Sequence, residues 1–98
     1  MNLVVIEEIK NKIIPLLKEA GVVRSSLFGS MARGDTTTDS DIDLLIEFEE
    51  KRIPGLFGFI GLQHKLEDVL GKKVDLLTFR SVNPLLKDYI MKDEISIL

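Results

Sequence analysis

Leu27-Phe28-Gly29-Ser30-Met31-Ala32-Arg33-Gly34 and, past a polar stretch, Ser40-Asp41-Ile42-Asp43-Leu44-Leu45-Ile46 are the segments whose reading decides the fold. The first closes an apolar run on a small-residue turn. The second opens an apolar run on two acids. Val22 to Phe28 reads as a strand ending at Gly29. Ile42, Leu44, Ile46 and Phe48 alternate with Asp41, Asp43, Leu45 and Glu47, the period of a second strand. The polar run Gly34 to Ser40 between them is a loop.

Ahead of this pair, Ile6, Ile9, Ile13, Leu16 or Leu17, and Ala20 recur at spacings of three and four, one face of an amphipathic helix. Pro15 falls inside that pattern and predicts a kink or restart, because it lacks a backbone donor. Gly21 is the natural stop. After the pair, Lys51-Arg52-Ile53-Pro54-Gly55 reads as a turn-forming connection. Leu56, Phe59 or Ile60, Leu62 or Gln63, Leu66, and Val69 or Leu70 then give a second helix, closed by Gly71. Lys72 to Thr78 predicts a short third strand. Pro84 to Lys92 predicts a last helix with Leu85, Leu86, Tyr89 and Ile90 on its apolar face. Glu94 to Leu98 fits either a helix end or a small edge strand. The order helix, strand, strand, helix, strand, helix predicts an α/β (α+β) sandwich: a small sheet with helices packed against it.

The 98 residues predict one domain, and 45% apolar with 30% charged residues is ordinary for a globular chain. A net charge of −3 without a basic block argues against strong nucleic-acid binding, which needs clustered Lys and Arg. With no cysteine and one histidine, disulfides, thiolate-held zinc and His-cluster metal sites are excluded. The N-terminus lacks a signal-peptide core, and no apolar stretch approaches the roughly 20 residues of a membrane span. The expectation is a cytoplasmic protein without a membrane segment.

Asp41 and Asp43 lie two apart on a predicted strand, so their side chains leave the same face. Paired hard oxygen ligands suit Mg²⁺ or Mn²⁺. A lone Asp-x-Asp is more often a solvated pair, but these acids head a strand that reads as buried, where an unpaired carboxylate is costly. Asp75, between Val74 and Leu76-Leu77, repeats the anomaly; the plainer reading gives it an ion pair with Lys72, Lys73 or Arg80. Gly29-Ser30 could let a phosphate approach the backbone and offer it a hydroxyl, or could be an ordinary strand-to-helix turn. Arg33 is the nearby cation for a phosphate oxygen, or a surface arginine paired with Asp35 or Asp39. His64 reads as solvated, and Phe28, Phe57 and Phe59 as packing residues.

Taken together, Phe28-Gly29-Ser30-Met31-Ala32-Arg33-Gly34 and Ser40-Asp41-Ile42-Asp43-Leu44 resemble the signature of the polymerase-β-type nucleotidyltransferases, in particular the small minimal nucleotidyltransferases of bacteria and archaea. The resemblance covers nearly the whole chain and includes the strand carrying Asp75. It implies the nucleotidyltransferase fold, with a mixed sheet. It also implies that Asp41, Asp43 and Asp75 are catalytic and metal-binding, with Mg²⁺ (or Mn²⁺) held beside ATP. Asp75 would be the third ligand and could also serve as general base, and Gly29 and Ser30 would contact the nucleotide's β- and γ-phosphates. Met31 departs from the basic residue often found at this place in the family, which implies fewer phosphate contacts.

Members of this group are commonly encoded beside a HEPN-domain toxin and act as its antitoxin, in some cases by moving AMP onto a toxin tyrosine. The resemblance therefore implies a HEPN-type partner and an oligomer or hetero-complex. The leading expectation is a Mg²⁺-dependent adenylyltransferase acting on a hydroxyl of that partner. The alternatives are an antitoxin that acts by binding alone, and a transferase of the aminoglycoside type acting on a small molecule.

Overall fold

The structure, a computed structural model, describes residues 3–28, 41–85 and 94–98, with side chains from Ile6 onward. Helix α1 spans Leu3–Glu19. Strand β1 is Val22–Phe28 and β2 is Ile42–Phe48. A 3-10 turn at Glu50–Arg52 leads to helix α2, Leu56–Leu70. Strand β3 is Val74–Thr78, followed by a 3-10 turn at Phe79–Ser81, and the short strand β4 is Ile95–Ser96.

Ile6, Ile9, Ile13 and Leu17 are buried, which is the stripe their spacing predicts for α1. Pro15 does not break the helix; one continuous element runs through it. Proline here removes only the bond that would reach the Asn11 carbonyl, and both residues lie on the exposed side, where water can serve that oxygen. The helix stops at Gly21, whose φ is +89°, a left-handed value that disfavours a side chain. Space demands glycine there as well: a Cβ at Gly21 would stand 2.8 Å from the Cβ of Arg52. Arg52 in turn donates from its guanidinium to the Glu19 carbonyl at the end of α1, where free carbonyls need donors.

The sheet order is β3-β2-β1-β4. β1 pairs antiparallel with β2 and β4, whereas β2 and β3 are parallel, so the sheet is mixed. Two antiparallel strands need only a short link, but the parallel β2–β3 pair requires a crossover, which α2 supplies. One core fills the space between the helices and one face of the sheet. Ile9, Ile13 and Leu17 of α1 and Leu62 and Leu66 of α2 meet Leu27, Ile42, Leu44, Ile46, Val74 and Leu76. Burial of each such side chain contributes about 1.5–3 kcal/mol. Phe59 packs edge-on against Phe48 with ring centroids 6.4 Å apart. Ile97 joins the same core, so the C-terminal tail is an edge strand rather than a helix end.

Three packing expectations fail. Leu56 and Phe57, expected to pack, are 71% and 88% exposed; the buried residues of α2 are Leu62 and Leu66, further along the helix. Leu85, expected on an apolar helix face, is 89% exposed; the rest of the predicted last helix, 86–92, lies outside the described residues. No helix among the described residues is long and apolar enough to cross a membrane.

Candidate active site at the head of β2

Phe28, the end of β1, stands opposite Asp43 on β2, and Asp43 stands opposite Asp75 on β3. Directly paired residues send their side chains to the same face, so the two carboxylates project together from strands about 4.8 Å apart. That face is the one turned away from α1 and α2, since the intervening Ile42, Leu44, Val74 and Leu76 are all in the core with them. Asp41 immediately precedes β2 and is half-buried, as is Asp43. The Ile42 amide donates to the Lys73 carbonyl at 3.0 Å, which ties Ile42, between Asp41 and Asp43, to β3.

Asp75 differs from its expected setting. It is exposed rather than enclosed in a buried strand. The apolar neighbours Val74 and Leu76 do face the core, but alternation along the strand turns Asp75 and Leu77 to the other side. Its exposure removes the desolvation cost that burial would have imposed. The ion pair with Lys72, Lys73 or Arg80 does not form either; among the described residues the salt bridges are Lys10–Glu7 and Arg24–Glu94. Gly29, Ser30, Arg33 and Met31 lie outside the described residues.

Among the described residues no three or more Asp, Glu, His or Cys side chains are gathered tightly enough to hold a metal by themselves. The donor chemistry nevertheless fits Mg²⁺. That ion binds through one or two carboxylates plus substrate phosphates, keeps several waters, and does not require a cage made wholly of protein. Asp43 and Asp75 on one face, with Asp41 at the strand entrance, supply that partial set.

One part of this region escaped the sequence reading. β3 is an edge strand, and Val74 is gripped from outside the sheet by two side chains of α2. Its amide donates to Glu67 Oε2 at 3.0 Å, and its carbonyl accepts from Gln63 Nε2 at 2.8 Å. The available signal was a pair of polar residues spaced i, i+4 beside the apolar stripe of α2, just ahead of a predicted edge strand. His64, between them in sequence, is exposed as expected. A mostly apolar cleft of about 170 Å³ lies at the opposite end of β2, between Ile46, Phe48, Ile53 and Phe79, away from the carboxylates.

A family model described as Polymerase beta, Nucleotidyltransferase matches residues 11–98. The chain belongs to this nucleotidyltransferase family. It is 50% identical over 93 residues to a Methanocaldococcus jannaschii protein carrying the name "Putative protein adenylyltransferase", covering 95% of this chain and 98% of that one. It is 42% identical over 81 residues to the protein adenylyltransferase MntA of Thermococcus cleftensis, covering 79% and 80%. Among solved structures, a minimal nucleotidyltransferase superposes with a TM-score of 0.79 at 36% identity, covering 97% and 95%. A toxin–antitoxin structure with AMP-PNP superposes with a TM-score of 0.77 at 27% identity, covering 91% of this chain and 72% of that one. The mixed sheet with α1 and α2 packed on one face is therefore the nucleotidyltransferase fold, and the chain is a nucleotidyltransferase.

Proposed function

We propose that this chain is a protein adenylyltransferase that moves AMP from ATP to a hydroxyl of a HEPN-type toxin and thereby acts as its cytoplasmic antitoxin. The observation that carries the chemistry is the direct pairing of Asp43 with Asp75 on the sheet face away from α1 and α2. The relatives' names and the toxin–antitoxin neighbour support the choice of a protein acceptor. When bound, Mg²⁺ would neutralise charge on the nucleotide phosphates. Asp41 and Asp43 would hold it from β2, and Asp75 would complete the set from β3.

In this reading Asp75, exposed on its strand, also faces the acceptor and takes the proton of its hydroxyl. The acceptor oxygen forms the new bond to the α-phosphorus as the bond to pyrophosphate breaks. Gly29 and Ser30 would meet the β- and γ-phosphates, and Arg33 would neutralise one phosphate oxygen. The names of the relatives, protein adenylyltransferases, favour a protein acceptor over an aminoglycoside.

Incubation with α-labelled ATP and the partner toxin tests the reading. Asp43→Asn and Asp75→Asn should each lower label transfer at least ~100-fold while the fold, followed by circular dichroism, is retained. A toxin neutralised equally well by Asp43→Asn would instead establish an antitoxin that acts by binding alone.

A further inference from the structure

We propose that Gln63 and Glu67 are positioning residues: together they fix the backbone of β3 so that Asp75 is held opposite Asp43. This rests on the reading of Asp75 as a carboxylate of the reaction. Backbone groups of successive strand residues point alternately to the two sides. The Lys73 carbonyl meets β2 through the Ile42 amide, so Lys73 and Asp75 turn their backbones inward and Val74 turns outward. On an edge strand those outward groups would ordinarily meet water, and the strand could shift against its one neighbour.

Here both outward groups of Val74 are taken, by the Glu67 carboxylate and the Gln63 amide from the same face of α2. The clamp falls on the residue just before Asp75, whose partner across the ladder, Ile42, sits between Asp41 and Asp43. Val74 is also 0% exposed, so its side chain is seated in the core while its backbone is gripped from outside. Asp75, exposed beyond that anchor, takes its position from the backbone.

Two features mark the clamp as specific rather than incidental. Glu67 sits in the last turn of α2, where the helix dipole disfavours an acid. Its own carbonyl is capped by the Gly71 amide at 2.8 Å, which steadies the turn that presents the carboxylate. In addition, the carbonyl of Thr78, the other end of β3, is served locally by the Ser81 hydroxyl. The long-range grip from α2 is thus spent at the end that bears the acid.

The test compares Glu67→Gln, which keeps an acceptor oxygen, with Glu67→Leu, which has none, and with Gln63→Glu, which sets an acceptor against the Val74 carbonyl. Glu67→Leu and Gln63→Glu should lower kcat about 10- to 100-fold, with KM for ATP changed less than about twofold. Mn²⁺ affinity of the nucleotide-free protein, read by electron paramagnetic resonance, should fall about tenfold or more. Glu67→Gln should restore both. If Glu67→Leu does not fold, Gln63→Met, which removes only the carbonyl contact, carries the comparison. Folded Glu67→Leu or Gln63→Met with wild-type kcat and Mn²⁺ affinity would overturn the inference. A wild-type Asp75→Asn would overturn the underlying reading of the site; an inactive Asp75→Asn beside fully active clamp variants would overturn the clamp alone.

Discussion

Leu44 and Leu77 are the same residue on neighbouring strands of one sheet, yet Leu44 is 0% exposed and Leu77 is 41% exposed. Leu44 faces α1 and α2 and Leu77 faces away from them, on the side that also holds Asp43 and Asp75. The face toward α1 and α2 holds the core cluster and the other carries the acids. On that second face Leu45, the ladder partner of Leu77, is 0% exposed, so the exposure of Leu77 also reflects its place on the edge strand. A one-residue slip of β3 against β2 would exchange the two roles and point Asp75 into the core, so the leucines fix the register on which the carboxylate pair depends.

The sharpest way to break this contrast is Leu44→Ala. It should cost about 2–5 kcal/mol in urea denaturation, because it opens a cavity beneath both helices. Gly21→Ala comes next, at about 1–3 kcal/mol by the same measurement, since the new methyl must accept a left-handed φ and displace Arg52. Gly61→Ala should move the other way. A Cβ there meets nothing within 4 Å, so alanine's helix propensity should raise stability by up to about 1 kcal/mol, visible as a higher Tm. Leu77→Ala should change stability least, within about 0.5 kcal/mol. A cost at Leu77 equal to that at Leu44 would abolish the distinction between the two positions.

Much of this arrangement is legible in the sequence because it follows from periodicity. The limits of β1 and β2, the Gly21 and Gly71 stops, and the buried stripe Ile6, Ile9, Ile13 and Leu17 all arise from local pattern. The exposure of Asp75 was hidden because three of its neighbours, Val74, Leu76 and Leu77, are apolar. A run of that kind reads as buried on both faces, whereas β3 lies at the edge of the sheet with Val74 and Leu76 turned to the core and Asp75 and Leu77 turned away from it. Leu56 and Phe57 misled for a related reason: apolar spacing marks a helix face, but not how far along the helix the sheet extends. The Gln63–Val74–Glu67 clamp was invisible because it joins side chains to backbone across a crossover, a relation that hydropathy does not record.

The parallel pairing of β2 with β3 also governs when the site can exist. Asp41 and Asp43 share one strand and are neighbours in any extended chain, but Asp75 joins them only after some thirty residues have been looped back through α2. Closing a loop of that length costs about 3 kcal/mol in chain entropy, which the contacts of α2 and β3 must offset before the pairing persists. Slow, non-local pairings of this kind tend to form late. The three acids are therefore assembled by the completed crossover, and a chain still emerging from synthesis would present two of them without the third.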